Sequence, residues 1–172
     1  MKVLFLDHDG VICLAPQWGS RFKNKDGLDS VFDRFDPKAI RILNEIIEKT
    51  DCEIVISSDW RFHATLAQMQ ELYRIRGIKK VPFDYTRDST FSPGFGKYEE
   101  PNETRSWEIL DWVKAHPQIT NWVAVDDLDM SEHFGEISGN YRFGLKNFVH
   151  TPRYYEGIKQ CGIKEKIIKF LL

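Results

Sequence analysis

The chain begins with a short apolar segment that ends abruptly in two closely spaced acids. Lys2-Val3-Leu4-Phe5-Leu6 runs directly into Asp7-His8-Asp9-Gly10. Side chains alternate in direction along a strand, so Asp7 and Asp9 project to one side and His8 to the other. Two buried carboxylates repel each other unless a cation neutralises them, and paired carboxylate oxygens suit Mg²⁺. The segment therefore predicts a strand whose end holds a magnesium site.

The bulk properties are those of one ordinary globular domain. A chain of 172 residues is long enough to bury a substantial core. The net charge of −2 gives no global indication of a nucleic-acid-binding protein. The three cysteines are widely spaced and odd in number, so they predict neither a disulfide framework nor a zinc site. Asp7 interrupts the first apolar segment, which is therefore too short for the apolar stretch of a signal peptide. No window of the sequence approaches the length of a membrane span, so we expect a soluble, cytoplasmic protein.

Two further apolar segments resemble the first, because polar residues follow each of them directly. Glu53–Ile56 is followed by Ser57-Ser58, and Asn121–Val125 by Asp126-Asp127. Strands that alternate with helices predict a parallel sheet with right-handed crossovers. Ligands bind outside the carboxyl ends of such strands, where the strand order reverses. The sequence therefore brings two acid pairs and a serine pair to one edge of the sheet, although an isolated acid after a strand is more often a turn or capping residue.

Between and after these three apolar segments, the pattern of the sequence changes to that of amphipathic helices and loops. Apolar residues recur at helical spacing in five places, and weaker strand signals lie in two more. The predicted helices span Asp36–Thr50, Ala64–Arg76, Thr104–Ala115, Pro152–Gln160 and Ile163–Leu171, and the short strands Val81–Phe83 and Tyr141–Phe143. Residues 13–35 fit no period, so we predict a small flap or loop insertion there within a single domain of residues 1–172.

Taken together, the polar strand ends resemble the motifs of the haloacid dehalogenase (HAD) superfamily. Residues 4–11, 54–58 and 123–127 are similar, in that order, to its motifs I, II and IV. Ser57-Ser58-Asp59-Trp60-Arg61 resembles more narrowly a Ser-Ser-x-Trp-Arg stretch of the HAD domain in Swiss-army-knife RNA-repair proteins, and 143–146 is similar to a Gly-Leu-Thr segment of that group. The resemblance implies an α/β fold, a Rossmann-like three-layer sandwich around a parallel sheet, with a minimal cap or none.

The resemblance also implies a mechanism, that of a Mg²⁺-dependent phosphatase. Asp7 would attack phosphorus to form an aspartyl-phosphate, and Asp9 would act as general acid and then as general base. Asp126 and Asp127 would complete the Mg²⁺ site with Asp7 and the backbone carbonyl of Asp9, Asp127 as the direct ligand. Ser57 would donate a hydrogen bond to a phosphoryl oxygen. An acid in the position of Asp9 is typical of phosphatases and phosphomutases, which disfavours dehalogenases and transport ATPases.

The family further requires a cation at the start of the helix before the fourth strand, where it offsets phosphoryl charge. Arg105 is our choice and Lys97 the rival, with a surface salt bridge as the alternative role for either. Trp60 and Arg61 could hold a nucleotide by base stacking and bidentate phosphate recognition. The alternative is a Trp60 packed in the core beside a solvated Arg61. Ser58 either contacts substrate or caps a helix.

These expectations combine into a phosphatase whose open site favours extended substrates. We expect a nucleic-acid terminal phosphate (3′ or 5′) or a nucleotide as the substrate. A small-molecule phosphomonoester is the alternative within the same class. A phosphotransferase or mutase, or a phosphate-binding module without turnover, are the alternatives from other classes. The sequence gives no indication of the oligomeric state.

Overall fold

The computed structural model describes residues 1–14, 34–86, 101–131 and 144–172. Its strands are β1 (Lys2–Leu6), β2 (Glu53–Ile56), β3 (Pro82–Tyr85), β4 (Asn121–Asp126) and β5 (Phe148–His150). Its helices are α1 (Pro37–Thr50), α2 (Leu66–Ile75), α3 (Pro101–Ala115) and α4 (Ile163–Leu171). Two short 3₁₀ helices cover Asp59–Phe62 and Gly157–Lys159. The predicted α/β fold class is confirmed.

The five strands form one sheet in the order β3-β2-β1-β4-β5, and all of them pair in parallel. From β1 the chain moves outward through β2 to β3, then returns to the other side of β1 for β4 and β5. The order therefore reverses between β1 and β4, the place where open α/β sheets bind their ligands. The acids that follow β1 and those that end β4 flank this point.

The alternating side chains of β1 divide the core between the two faces of the sheet. Leu4 and Leu6 belong to the larger apolar cluster, which also contains residues from α1, α2 and α4. Val3 and Phe5 point to the opposite cluster, whose helical residues come from α3. Phe5 meets the ring of Trp112 edge to face at 5.3 Å between centroids, a favourable geometry for aromatic pairs. Helices therefore cover both faces of the sheet, and the polar side chains of the candidate site lie at the ends of the strands.

Local signals place several element boundaries as the sequence predicts. Asp36 caps α1, because its Oδ1 accepts hydrogen bonds from the backbone N–H groups of Lys38 and Ala39 at 2.9 and 2.8 Å. Thr65 and Gln68 form a capping box at the start of α2. Helix α4 spans the predicted residues without change. The starts of α1 and α2 are therefore set by local capping interactions.

Two predictions near the carboxyl terminus need correction or cannot be followed. The predicted helix Pro152–Gln160 is wrong, because the segment contains turns and the three-residue 3₁₀ helix Gly157–Lys159. Strand β5 was not predicted, and the strand predicted at 141–143 lies outside the described residues. Most of the predicted flap, residues 15–33, lies outside them as well.

In the part of the chain that is described, no helix has the length and apolar character of a membrane span.

Candidate active site

Three carboxylates converge at the point where the strand order reverses. Asp7 follows β1, Asp126 ends β4, and Asp127 comes next in the chain. One oxygen from each of the three lies within 4.8 Å of the others. Asp7 and Asp126 are buried, whereas Asp127 is half-buried. Oxygen donors arranged in this way suit a hard divalent cation such as Mg²⁺.

The electrostatics of the cluster also fit a cation. Burial raises the pKa of Asp7 well above its ordinary value, and the nearby charge of Asp126 raises it further. Arg105 and a hydrogen bond from Ser58 act in the opposite direction on Asp7. Burial likewise raises the pKa of Asp126 to about 6, against the lowering effect of Arg105. A divalent ion among these oxygens would favour the ionised forms, so the residues fit Mg²⁺ on charge as well as on donor type.

A single arginine from α3 lies among these acids. Nη1 of Arg105 donates a hydrogen bond of 2.9 Å to Oδ2 of Asp126 and lies 3.5 Å from Oδ1 of Asp7. Its Nη2 donates to Oδ1 of Asp59 at 3.0 Å. Burial alone would lower the pKa of the guanidinium, but Asp126 and Asp7 raise it above its ordinary value. Arg105 is therefore a fixed positive charge next to the Asp7 carboxylate.

The two serines after β2 lie in different surroundings. The backbone N–H of Ser57 continues the sheet by donating to the carbonyl of Leu6 at 3.0 Å. Within the described residues, its buried Oγ has no hydrogen-bond partner. A buried hydroxyl without a partner carries a free-energy cost that a bound oxyanion would remove. Ser58 caps the 3₁₀ helix Asp59–Phe62 through the N–H of Trp60, which is the capping role that the sequence left open.

Trp60 and Arg61 are placed differently from their predicted role in nucleotide binding. Trp60 is 3% exposed, and its ring stacks on that of His8 with centroids 4.6 Å apart, so it is not placed to stack on a nucleobase. Arg61 forms a bidentate ion pair with Glu108 at 2.6 and 2.8 Å, and its Nη1 also donates to Thr86. The Arg61 side chain is 8% exposed, so the alternative of a solvated Arg61 is wrong, while its role in substrate binding stays a prediction. Both side chains belong to the interior beneath the strand ends.

The turn after β1 is built for a close approach to Asp127. Gly10 has φ of +72°, and a Cβ added there would lie 2.6 Å from Cγ of Asp127. Only glycine tolerates both the left-handed backbone and this contact. Oγ1 of Thr151 donates to the Gly10 carbonyl at 3.2 Å, and His150 contacts the Asp127 carbonyl at 3.0 Å. The end of β5 therefore supports the turn and the acid together.

Sequence reasoning missed the residues that hold this site in place. Asp59, Glu108 and Thr86 contact Arg105 or Arg61 directly, yet none of them stands in a sequence pattern that predicts such a contact. A usable signal was the spacing of Arg105 and Glu108, which are three residues apart and therefore on one face of α3. The rival cation, Lys97, lies outside the described residues.

The parallel sheet, the acids after β1 and at the end of β4, and the serine after β2 define the chain as a protein of the HAD class. Residues 3–152 match the family model described as the HAD domain in Swiss Army Knife RNA repair proteins, and the chain belongs to that family. Comparison with curated proteins and with solved structures finds no match. Family membership supports a phosphatase-type hydrolase, in agreement with the buried acids at the sheet edge.

Proposed function

We propose that the protein is a Mg²⁺-dependent phosphatase that forms an aspartyl-phosphate on Asp7. The observation that carries this proposal is the convergence of Asp7, Asp126 and Asp127 beside Arg105 at the reversal of the strand order. A carboxylate next to both a cation site and a fixed guanidinium can attack an anionic phosphoryl group, because the two positive charges offset the repulsion.

The metal site of this proposal consists of Asp7, Asp127 and the Asp9 backbone carbonyl, with Asp126 beside them. Oδ2 of Asp126 accepts from Arg105 and its Oδ1 from the N–H of Leu128 at 2.9 Å, which favours Asp127 as the direct ligand. When bound, Mg²⁺ supplies charge neutralisation for the phosphoryl oxygens and orients the phosphate.

The chemistry then follows from the remaining side chains. An oxygen of Asp7 forms a bond to phosphorus while the bond from phosphorus to the leaving oxygen breaks, and the carboxyl of Asp9 gives its proton to that oxygen. Arg105 and the hydroxyl of Ser57 bind the oxygens of the transferred phosphoryl group. A water molecule next attacks phosphorus, Asp9 takes its proton, and the bond from phosphorus to Asp7 breaks. Inorganic phosphate leaves and both acids return to their first state.

A nucleic-acid terminal phosphate or a nucleotide is the substrate class that we propose. The support is the description of the family, which names RNA repair proteins. The near-neutral charge of the chain does not favour binding to a long stretch of nucleic acid, so we propose recognition of an end rather than of a duplex.

The test of the mechanism is phosphate release from a generic aryl phosphate with and without Mg²⁺. We expect turnover that requires Mg²⁺, that EDTA abolishes, and that Asp7→Asn and Asp9→Asn each remove. Activity that survives Asp7→Asn, or that ignores EDTA, would overturn the proposal. Intact-protein mass spectrometry after rapid acid quench should show the added phosphoryl group on the wild type and not on Asp7→Asn.

A second experiment decides the substrate class. Phosphate release is compared for oligonucleotides with a 3′-phosphate, oligonucleotides with a 5′-phosphate, free nucleotides and small sugar phosphates. A preference for one oligonucleotide end supports the proposed class. Equal, slow release from all four would instead indicate a general phosphomonoesterase, and transfer of the phosphoryl group to an added alcohol would indicate a phosphotransferase.

A further inference from the structure

A buried tryptophan holds the exposed acid of the site. Nε1 of Trp60 donates a hydrogen bond of 2.9 Å to Oδ2 of Asp9. Trp60 is 3% exposed, whereas Asp9 is exposed. One oxygen of this exposed carboxylate is therefore hydrogen-bonded to a buried side chain.

The ring of Trp60 is itself fixed by the core. It lies parallel to the fully buried ring of His8, with an interplanar angle of 5°, and meets Phe35 edge to face at 5.6 Å. His8 is fixed in turn, because its Nε2 lies 2.9 Å from the hydroxyl of buried Tyr73. The direction of the indole N–H is therefore set by packing inside the sheet and not by the solvent at its edge.

We propose that Trp60 is a positioning residue for Asp9, so that the proton exchanged with the substrate is carried on the other oxygen, Oδ1. This inference rests on the proposed function, in which Asp9 is the general acid and base. The indole N–H is a donor only, so it pairs with Oδ2 both when Asp9 is ionised and when it is protonated. It cannot receive the proton from Asp9. Each time Asp9 is protonated, the proton is therefore directed to Oδ1, the oxygen that the indole does not hold.

The expected signature is a dependence on the leaving group. General-acid help matters most when the departing oxygen is a strong base and least when it is a stable phenolate. For Trp60→Phe we expect kcat/KM to fall by roughly 10- to 100-fold with phenyl phosphate, the range that loss of orientation produces. With 2,4-dinitrophenyl phosphate we expect a change of less than about 3-fold, because this leaving group needs no proton.

A matched control exists elsewhere in the fold. Trp112 is 4% exposed and its Nε1 donates to Oδ2 of Asp84 at 2.8 Å, so it repeats the tryptophan–carboxylate pair outside the acid cluster. Trp112→Phe should alter stability as Trp60→Phe does but should leave the ratio of the two kcat/KM values at the wild-type level. If Trp60→Phe fails to fold, 3-benzothienylalanine at position 60 keeps the ring size and removes only the N–H donor.

Two outcomes would overturn the inference. Equal losses of Trp60→Phe on both esters would do so, because an effect that acts through Asp9 depends on the leaving group. A ratio of the two kcat/KM values that changes as much for Trp112→Phe as for Trp60→Phe would do so as well. In either case the proposed function would stand, provided that the wild type hydrolyses both esters with Mg²⁺. A wild type that hydrolyses neither would overturn the proposed function together with the inference.

Discussion

Arg105 donates a hydrogen bond of 2.9 Å to Asp126, and both side chains are almost inaccessible to solvent, at 9% and 1% exposure. The same guanidinium nitrogen lies 3.5 Å from Asp7. Buried carboxylates repel each other strongly where water does not screen them. Arg105 therefore stabilises the cluster of buried acids, in addition to the phosphate-binding role that we propose.

Because Arg105 stabilises these acids, we expect a large loss of stability when its guanidinium is removed. In EDTA, Arg105→Met should lower the free energy of unfolding by about 3–5 kcal/mol, because it leaves buried carboxylates without their cation. Arg153→Met is the matched control, since Arg153 pairs with Glu156 at the surface with 62% of its side chain exposed. Its cost should be about 1 kcal/mol or less. Urea unfolding followed by circular dichroism measures both, and similar losses for the two variants would contradict the prediction.

The turn at Gly10 predicts a separate effect on metal binding. Gly10→Ala should lower stability by about 1–2 kcal/mol through its left-handed backbone and should also displace Asp127. Gly77→Ala is a close control, because Gly77 has nearly the same φ, +73°, and nothing within 4 Å of an added Cβ. Titration calorimetry with Mg²⁺ should show weakened binding for Gly10→Ala and wild-type binding for Gly77→Ala. Unchanged binding in both variants would argue against Asp127 as a ligand.

The buried pair of Arg61 and Glu108 predicts a rescue by double substitution. Either Arg61→Met or Glu108→Met alone should lower the free energy of unfolding by about 3–5 kcal/mol, because each removes one partner of a buried ion pair. The double variant should recover a large part of this loss, since methionine fills the space without charge. Chemical unfolding of the three variants gives the coupling free energy directly. If Arg61→Met instead raised KM with little loss of stability, the result would support the predicted substrate-binding role of Arg61.

The sequence predicted the strands and acids of the site because both signals are local. An apolar segment that ends in Asp7 or Asp126 shows its strand character and its chemistry within a few residues. Strand β5 escaped prediction for the opposite reason. It has three residues, too few for a period, and it exists because Val149 pairs with Val125 of β4.

The side chains after β2 show a second limit of sequence reasoning. Whether Trp60 faces the solvent or the core depends on the 3₁₀ turn that Ser58 caps, and on the space beside His8. The stacking on His8 is not visible in the spacing of residues, since it joins positions about fifty residues apart. The order Ser-Ser-x-Trp-Arg therefore located the segment correctly while its side chains took different partners.

The buried imidazole of His8 predicts how stability depends on pH. Burial, with a smaller contribution from Arg105, lowers the pKa of His8 to about 3, against about 6.5 in an unfolded chain. Below about pH 6.5 the unfolded state therefore binds a proton that the folded state refuses, so the contribution of His8 to stability falls as the pH falls. His8→Phe removes this titration. We compare the free energies of unfolding of the variant and the wild type in EDTA. The value of the variant minus that of the wild type should rise by about 1.4 kcal/mol for each unit by which the pH is lowered from 6 to 4.

Taking a difference between two proteins removes the titration of groups that they share. Asp7 and Asp126, whose raised pKa values act in the opposite direction over the same range, are present in both and largely cancel. Tyr73→Phe is the control, because it removes the hydroxyl next to Nε2 of His8 but keeps the imidazole. Its difference from wild type should change little between pH 6 and 4. If the difference between His8→Phe and wild type also stayed constant between pH 6 and 4, the imidazole would have to be protonated in the folded protein. That result would contradict the prediction, because a buried imidazolium next to Asp7 would need a negative charge close to it.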